Sequence, residues 1–212
     1  MQDIPVFTTE YGAASLVLRE IPYRRRAYIH LQASLEPEKL LAECVSFARM
    51  AGAETVFATG HELLERHPLH TEIWSMSCLR EGLPDTDASL FPVTEATLEQ
   101  WRNIYNDRMQ GVDQAAYLTL SQAKQLLAQG GAYFVHRAEE ILGIGIASGE
   151  NVRAVASYKP GCGKDTLLAL NHALFGERIT VEVASTNQKA LRLYTRLGFI
   201  PTAKVASWYQ IL

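Results

Sequence analysis

The sequence predicts an α/β protein with a mixed, partly parallel sheet. Segments of strand-like alternation are interleaved with segments of helical spacing, which is the pattern of crossover units whose strands run parallel. Strands that follow one another across short turns make up the rest of the sheet. The third feature is a glycine-rich bend, Lys159–Lys164, which joins a predicted strand to the start of a predicted helix.

The first block of the chain, residues 1–90, reads strand, strand, helix, strand, helix, strand. Its long helix is indicated by apolar residues on one side, and Gly52 follows where a left-handed cap is expected. The turn-rich stretch Gly82–Asp87 marks the boundary of the block. The predicted elements are strands Ser15–Ile21 and Ala27–Ala33, helix Glu36–Ala51, strand Glu54–Ala58, helix Gly60–Arg66 and strand Thr71–Leu79.

The second block, residues 91–212, reads strand, two helices, three strands, helix, strand, helix, strand. Thr97 with Gln100, and Thr119 with Gln122, have the spacing of capping boxes and mark the first two helix starts. The later elements are strands Ala132–Arg137, Ile141–Ala147 and Val152–Tyr158, helix Lys164–Leu174, strand Ile179–Ser185, helix Asn187–Leu197 and strand Ala203–Ile211. Because the first block repeats the tail of this order, it is either a degenerate half-copy of the second or an unrelated α/β extension.

Charge and composition exclude several classes of function. The net charge of -3 argues against a general nucleic-acid surface, and we interpret Arg24–Arg26 as a solvated loop. No apolar run approaches the ~20 residues that cross a membrane. Met1–Gly12 lacks the basic start and apolar stretch of a secretory signal. The cysteine and histidine spacings fit no common metal motif. We therefore expect a cytoplasmic protein without a metal, a nucleic-acid partner or a membrane partner.

The bend Lys159–Lys164 has the composition of an anion site. Gly161 and Gly163 let the backbone approach a ligand closely. The first turn of the following helix supplies unsatisfied N–H donors and a partial positive charge, which suit a pyrophosphate. By itself, however, Gly-x-Gly is a weak signal, since it also occurs in plain strand-to-helix turns.

A second motif lies one strand later, in Asn187–Phe199. Asn187 suits a helix start, Gly198 suits the cap after its last turn, and Tyr194 falls on the apolar face. Together with the bend, this segment resembles the cofactor half of the GCN5-related N-acetyltransferase (GNAT) family, whose helix begins with Asn and ends in Tyr-x-x-x-Gly-Phe. The resemblance covers residues 90–212 in element order and is specific over residues 152–199.

The resemblance implies a fold of GNAT type and an acetyl-CoA-dependent acyltransferase acting on an amine. Tyr194 would be the general acid that protonates the departing CoA thiolate, while Asn187 would touch the pantetheine or order its helix. Acetyl-CoA would be a co-substrate, with no metal. The implied cofactor-binding positions are the backbone groups of Val155 and Ser157 for the pantetheine, and Gly161, Cys162, Gly163 and Lys164 for the pyrophosphate.

The bend departs from the family pattern. Tyr158 stands where the bend has Arg or Gln, or else, in a shifted alignment, Asp165 replaces the second glycine. Glu182 is a candidate general base, with a surface or structural carboxylate as the alternative. The altered bend and the degenerate-looking first block also leave open a non-catalytic CoA-binding or protein-interaction module. The acceptor is expected to be a small-molecule or peptide amine, and a further hypothesis gives the first block a dimer interface, which would make the protein a homodimer.

Overall fold

The computed structural model describes residues 5–212. The strands are β1 (Val6–Thr9), β2 (Gly12–Val17), β3 (Arg26–Ser34), β4 (Thr55–Thr59), β5 (Leu69–Leu79), β6 (Ser89–Pro92), β7 (Ala132–Arg137), β8 (Glu140–Ser148), β9 (Asn151–Ser157), β10 (Arg178–Ala184) and β11 (Ile200–Gln210). The α-helices are α1 (Ile21–Arg24), α2 (Pro37–Met50), α3 (Leu98–Met109), α4 (Leu120–Gln129), α5 (Gly163–Leu170) and α6 (Gln188–Arg196). Short 3-10 helices occupy Glu62–Arg66, Arg80–Gly82 and Asn171–Ala173.

The chain forms two compact units. Of the described residues, unit 1 contains 5–73 and 204–212, and unit 2 contains 74–203. The first unit ends at residue 73, within β5, and it also includes residues 204–212 near the end of the chain. Whether the two predicted blocks are separate domains in an evolutionary sense stays a prediction.

Unit 1 is a sheet with the strand order β1-β2-β3-β4-β11. The β3–β4 pair is parallel, and the β1–β2, β2–β3 and β4–β11 pairs are antiparallel. Helix α2 connects β3 to β4 and buries its apolar stripe, Leu40, Leu41, Cys44 and Ala48, in the core of the unit. Gly52 follows the helix with φ +98°, so the left-handed cap predicted there is confirmed.

Unit 2 is a sheet with the order β5-β10-β9-β8-β7-β6, and helices cover both of its faces. The α5/α6 cluster, on one face, includes Leu167, Leu170, Val181, Val183, Tyr194 and Phe199. The α3/α4 cluster, on the other face, includes Trp101, Tyr105, Leu126, Phe134, Ile144 and Ala156. The β9–β10 pair is parallel, whereas β6–β7, β7–β8 and β8–β9 are antiparallel. The prediction of a mixed, partly parallel sheet is therefore confirmed.

The structure corrects the start of the chain. The strand predicted over Ser15–Ile21 ends at Val17, and α1 begins at Ile21, because Pro22 in its first turn favours a helix. The guanidinium of Arg24 lies 3.6 Å from the Glu20 carboxylate, and its side chain is only 7% exposed. The prediction of a solvated arginine loop is therefore wrong for Arg24. Strand β1 precedes every element that the alternation predicted.

The two predicted capping boxes have different outcomes. At Thr119 the box is present: the Gln122 N–H donates to Thr119 Oγ1 over 3.3 Å, and the Thr119 N–H donates to Gln122 Oε1 over 3.0 Å. At Thr97 the prediction of a box is wrong. The Thr97 side chain instead turns back, accepting from the Thr94 N–H at 3.0 Å and donating to the Thr94 carbonyl oxygen at 3.3 Å.

This difference leads to a prediction for two matched substitutions. Thr119→Ala removes a helix cap and is expected to lower the free energy of unfolding by about 1 kcal/mol. Thr97→Ala removes only exposed contacts to Thr94, and we expect a loss of under about 0.5 kcal/mol. Urea denaturation of both variants measures the difference. Equal losses would mean that the Thr119 cap does not hold the start of α4.

Candidate functional site

Strands β9 and β10 are paired only at their beginnings. Thr180 is paired with Asn151 and Val181 with Val152, and within residues 5–212 the ladder between these strands ends there. On its other edge β9 stays paired with β8 as far as Ser157. The two parallel strands therefore diverge, and the remainder of β9 has an edge that β10 does not use.

The backbone groups on this open edge can be assigned from the β8–β9 ladder. The Tyr158 N–H donates to the Leu142 carbonyl oxygen over 2.8 Å, so the backbone of Tyr158 points toward β8. In an antiparallel pair the direction alternates by residue, and the backbone groups of Val155 and Ser157 therefore point away from β8, toward the gap. These are the two residues that the resemblance assigns to the pantetheine.

The glycine bend follows directly after the open edge. Gly161 has φ +87°, a left-handed conformation that favours glycine, and a Cβ there would meet no heavy atom within 4 Å. Gly163 is the first residue of α5, and a Cβ on it would lie 3.1 Å from Ser157 Oγ and 3.4 Å from Leu193 Cδ2. Gly163 thus lies where the end of β9, the start of α5 and one side of α6 meet. A glycine fits at this position, whereas a larger residue would have little space for its side chain.

Backbone hydrogen bonds define what the first turn of α5 can offer a ligand. The Thr166 N–H and the Thr166 hydroxyl both donate to the Cys162 carbonyl oxygen, over 2.9 and 2.7 Å. The N–H groups of Gly163, Lys164 and Asp165 precede the first intrahelical bond and are the donors that a helix leaves for a cap or an anion.

The basic side chains around the bend differ in whether they form ion pairs. The Lys159 ammonium lies 2.9 Å from a Glu140 carboxylate oxygen. Lys164 is exposed and has no ion pair within the described part of the chain. Arg108, on α3, places its guanidinium 5.7 Å from the centre of the Tyr158 ring, within the range of a cation–π contact. Lys164 is therefore the cation at the bend that is most available to an anion, since Arg108 is also paired with a neighbouring carboxylate of α3.

Helix α6 places the two residues of the second motif. Asn187 is its N-cap, and the Asn187 side-chain oxygen accepts from the Ala190 N–H over 3.2 Å, so this residue orders the helix start. Gly198 follows the helix with φ +85°, as the motif predicted. Tyr194 lies in the α5/α6 cluster, with its ring centre 5.6 Å from that of Phe199.

Tyr194 is 7% exposed, and burial raises the pKa of its hydroxyl to about 12. The reason is desolvation, which disfavours the phenolate. The hydroxyl therefore carries its proton throughout the physiological pH range. A buried phenol that stays protonated has the charge state required of a general acid.

Glu182 occupies a different face of the sheet from Tyr194. It is the first residue of β10 beyond the paired stretch, so it stands where the gap opens. Its neighbours Val181 and Val183 point into the α5/α6 cluster with Tyr194, and strand alternation turns the exposed Glu182 side chain to the opposite face. The two candidate catalytic residues are thus on opposite sides of β10.

The connection between α3 and α4 reaches the start of α6. The Thr186 hydroxyl donates to Asp113 Oδ2 over 2.7 Å. The same connection is held to α3 by Asn106, which donates to the Leu118 carbonyl oxygen at 3.0 Å and accepts from the Leu118 N–H at 2.8 Å. These contacts hold the connection beside Asn187.

Sequence reasoning missed two sets of residues that shape the site. Gly143 and Gly145 of β8 let α5 lie directly on the sheet, and their alternate spacing was the signal that could have revealed them. Arg137 pairs with Asp165 of α5 at 3.0 Å, a contact between residues 28 apart that spacing gives no means of finding.

Metal sites and membrane-spanning helices were also sought among the residues that the structure describes. Among residues 5–212, no group of three or more His, Cys, Asp or Glu side chains is placed to hold a metal ion. No helix in the same range combines the length and the apolar character that crossing a membrane requires.

Comparison with solved structures shows the same fold in proteins of low sequence identity. A GCN5-related N-acetyltransferase from Sphaerobacter thermophilus matches with a TM-score of 0.57 and 12% identity over 93% of this chain and 75% of that chain. One from Kribbella flavida matches with a TM-score of 0.58 and 17% identity over 97% and 88%. A tandem GNAT protein from the clavulanic acid biosynthesis pathway matches with a TM-score of 0.54 and 12% identity over 94% and 78%.

These similarities define the class of fold. No protein-family model matches the sequence, and no curated protein matches it significantly. The chain has the fold of GCN5-related N-acetyltransferases, which confirms the resemblance found in its motifs. At identities of 8–17% the comparison concerns the fold, and activity has to be argued from the site.

Proposed function

We propose that this protein transfers an acetyl group from acetyl-CoA to an amine. One observation carries the proposal: β9 and β10 diverge after two residue pairs, which leaves an open strand edge that leads to the N-terminus of α5. An extended pantetheine arm can add to such an edge as a strand does. The adjoining helix start accepts the diphosphate at its other end.

The residues present fit this co-substrate. The backbone groups of Val155 and Ser157 face the gap, and Gly163 leaves close approach to the first turn of α5 unobstructed. Lys164 adds an available cation there, and Cys162 lies at the N-cap. Acetyl-CoA supplies an activated thioester, so the chain has only to position the two reactants and handle protons.

In the proposed mechanism the amine nitrogen forms a bond to the acetyl carbon, and the carbon–sulfur bond breaks. Tyr194, whose buried hydroxyl is protonated at neutral pH, would give its proton to the departing thiolate and regain one from solvent. Glu182, exposed where the gap opens, would accept the proton lost by the amine, directly or through water. Their positions on opposite faces of β10 suit an acceptor that approaches from the side away from Tyr194.

The proposal is tested by calorimetric titration with acetyl-CoA, with ATP as a control ligand. We expect micromolar binding by the wild type and none by a variant with both Gly161→Val and Gly163→Val. Valine is strained at the positive φ of Gly161, and at Gly163 it meets Ser157 and Leu193. Gly111→Ala is the matched control, because its Cβ would meet no heavy atom within 4 Å. Failure of the wild type to bind at millimolar acetyl-CoA would refute the proposal.

A second candidate function is a non-catalytic CoA-binding or protein-interaction module. The observation that favours it is Asp165, whose carboxylate lies in the very turn that would receive a diphosphate. A protein-interaction module would keep the fold without having to receive the diphosphate, whereas a CoA-binding module would bind CoA without transferring its acetyl group. Acetylation of an amine by the wild type separates the two candidates, and substitution of Tyr194 then tests whether its hydroxyl takes part.

We also propose that unit 1 is a degenerate half-copy of unit 2. In unit 1, β2 and β3 are antiparallel, α2 follows, and β4 is parallel to β3; in unit 2, β8, β9, α5 and β10 repeat this arrangement. The β3–β4 ladder, however, continues over five residue pairs, from Arg26–Thr55 to His30–Thr59. Because these strands do not diverge after two pairs, unit 1 lacks the open edge on which the proposed site depends.

The similarity to a protein described as a tandem GNAT protein supports a repeat, since it extends over 94% of this chain. The proposed acceptor is a small-molecule or peptide amine. A homodimer formed through the first block stays a prediction.

A further inference from the structure

An ion-pair cluster lies next to the proposed diphosphate site. Arg137, the last residue of β7, places Nη2 3.0 Å from Asp165 Oδ2 and 2.6 Å from Asp87 Oδ1. Its Nε also donates to Asp87 Oδ1 over 2.7 Å. One guanidinium thus bridges a carboxylate of the segment before β6 and a carboxylate of the first turn of α5.

Asp165 opposes the function of the helix start on which it lies. It is the third residue of α5, and its side chain is 29% exposed. The N–H groups of this turn attract an anion, whereas a free carboxylate in the same turn repels one. The other basic side chains do not cancel this charge, because Lys159 is paired with Glu140 and no ion pair joins Lys164 to Asp165 within residues 5–212.

We infer that Arg137 is a positioning residue for acyl-CoA: by neutralising the Asp165 carboxylate, it keeps the first turn of α5 receptive to the diphosphate. This inference rests on the proposed function. Arg137 itself does not have to touch the ligand, since it acts through Asp165. Interactions between exposed charges extend over roughly a Debye length, ~10 Å at moderate salt, and the effect must therefore weaken as salt is added.

The alternative role for Arg137 is mechanical. Its two ion pairs could hold α5 in place, and the carboxylate charge would then be irrelevant to the ligand. The two roles make opposite predictions for Asp165→Asn, which breaks the ion pair but also removes the repulsive charge. Loss of a tether weakens binding, whereas loss of the repulsion leaves it unchanged or strengthens it.

The experiment is a double-mutant cycle on the full-length chain, read out as the Kd of CoA in calorimetry at low and high ionic strength. We expect Arg137→Gln to weaken binding about 5- to 10-fold at low salt, because it exposes an unpaired carboxylate beside the phosphates. Asp165→Asn should bind as well as the wild type or better. The double variant should regain the affinity of the wild type.

Two controls complete the cycle. Arg137→Lys keeps a positive charge near Asp165 and should bind CoA more tightly than Arg137→Gln does. Asp87→Asn removes the other partner of Arg137, outside α5, and should leave CoA affinity unchanged. The melting temperature of each variant, measured without ligand, reports any loss of folding. If Arg137→Gln is unstable, Arg137→Lys and Asp165→Asn still test the inference.

The inference is overturned if Asp165→Asn weakens binding as much as Arg137→Gln does, or if the defect of Arg137→Gln persists at high salt. An Arg137→Gln variant that binds like the wild type overturns it as well. These outcomes differ from failure of the proposed function, in which the wild type itself does not bind CoA.

Discussion

Replacing Tyr194 by phenylalanine is expected to lower the turnover number about 100-fold while the affinity for acetyl-CoA stays within about 2-fold of the wild type. The substitution removes one oxygen atom and keeps the ring that packs against Phe199. Without the hydroxyl, the thiolate leaves without a proton donor, and the lost stabilisation belongs to the transition state and not to the bound cofactor. Steady-state acetylation of an accepted amine and calorimetry with acetyl-CoA measure the two quantities.

Tyr133→Phe is the matched control for this substitution. Tyr133 packs against the same α5/α6 cluster from β7, so its variant removes a hydroxyl from the same unit without touching α6. We expect wild-type turnover from it. If Tyr194→Phe also kept wild-type turnover, Tyr194 would be a core residue alone; if the wild type bound acetyl-CoA but acetylated no amine, the non-catalytic module would be the better description.

Local sequence signals predicted most elements of unit 2 because these elements are determined by residues that are close together in the sequence. The alternation in β7, β8 and β9, the cap of α6 and the left-handed Gly198 each depend on residues close in sequence. The capping box predicted at Thr97 is wrong even though it rests on a local rule. Thr94, three residues earlier, offers the Thr97 hydroxyl competing partners, and a spacing rule does not rank such partners.

The candidate site was predictable only in part. Val155 and Ser157 were named from the sequence only through the family resemblance, and Gly163 through the composition of the bend; the structure places the backbone groups of the two strand residues at the open edge. Residue spacing alone does not predict the divergence of β9 from β10, because it depends on where a ladder between residues about 29 apart stops. The pairing of Arg137 with Asp165 likewise depends on tertiary structure.

Gly143→Val is expected to destabilise unit 2 by at least about 3 kcal/mol, which corresponds to a fall in Tm of roughly 10 °C. A Cβ at Gly143 would lie 2.6 Å from the Ala156 carbonyl oxygen and 2.7 Å from Thr166 Cγ2. The first atom belongs to the backbone of the neighbouring strand and cannot move without breaking the β8–β9 ladder. The second belongs to α5, which would have to lift away from the sheet.

The Gly143→Val substitution should also affect the proposed cofactor site. The Thr166 hydroxyl bonds the Cys162 carbonyl oxygen over 2.7 Å, so a side chain that displaces Thr166 also disturbs the first turn of α5. Any Gly143→Val protein that remains folded should therefore bind acetyl-CoA more weakly than the wild type. Gly145→Val is expected to act similarly, because a Cβ there would lie 2.8 Å from Leu170 Cδ2 and 2.9 Å from the Ala154 carbonyl oxygen.

Gly111→Ala separates this packing effect from a general intolerance of glycine substitution. A Cβ at Gly111 would meet no heavy atom within 4 Å, so its Tm should change by no more than about 2 °C. Differential scanning calorimetry on the three variants makes the comparison. An unchanged Tm for Gly143→Val would contradict the direct contact between α5 and β8. Since that contact sets the height of the helix start above the open edge of β9, the geometry proposed for the cofactor would then have to be abandoned as well.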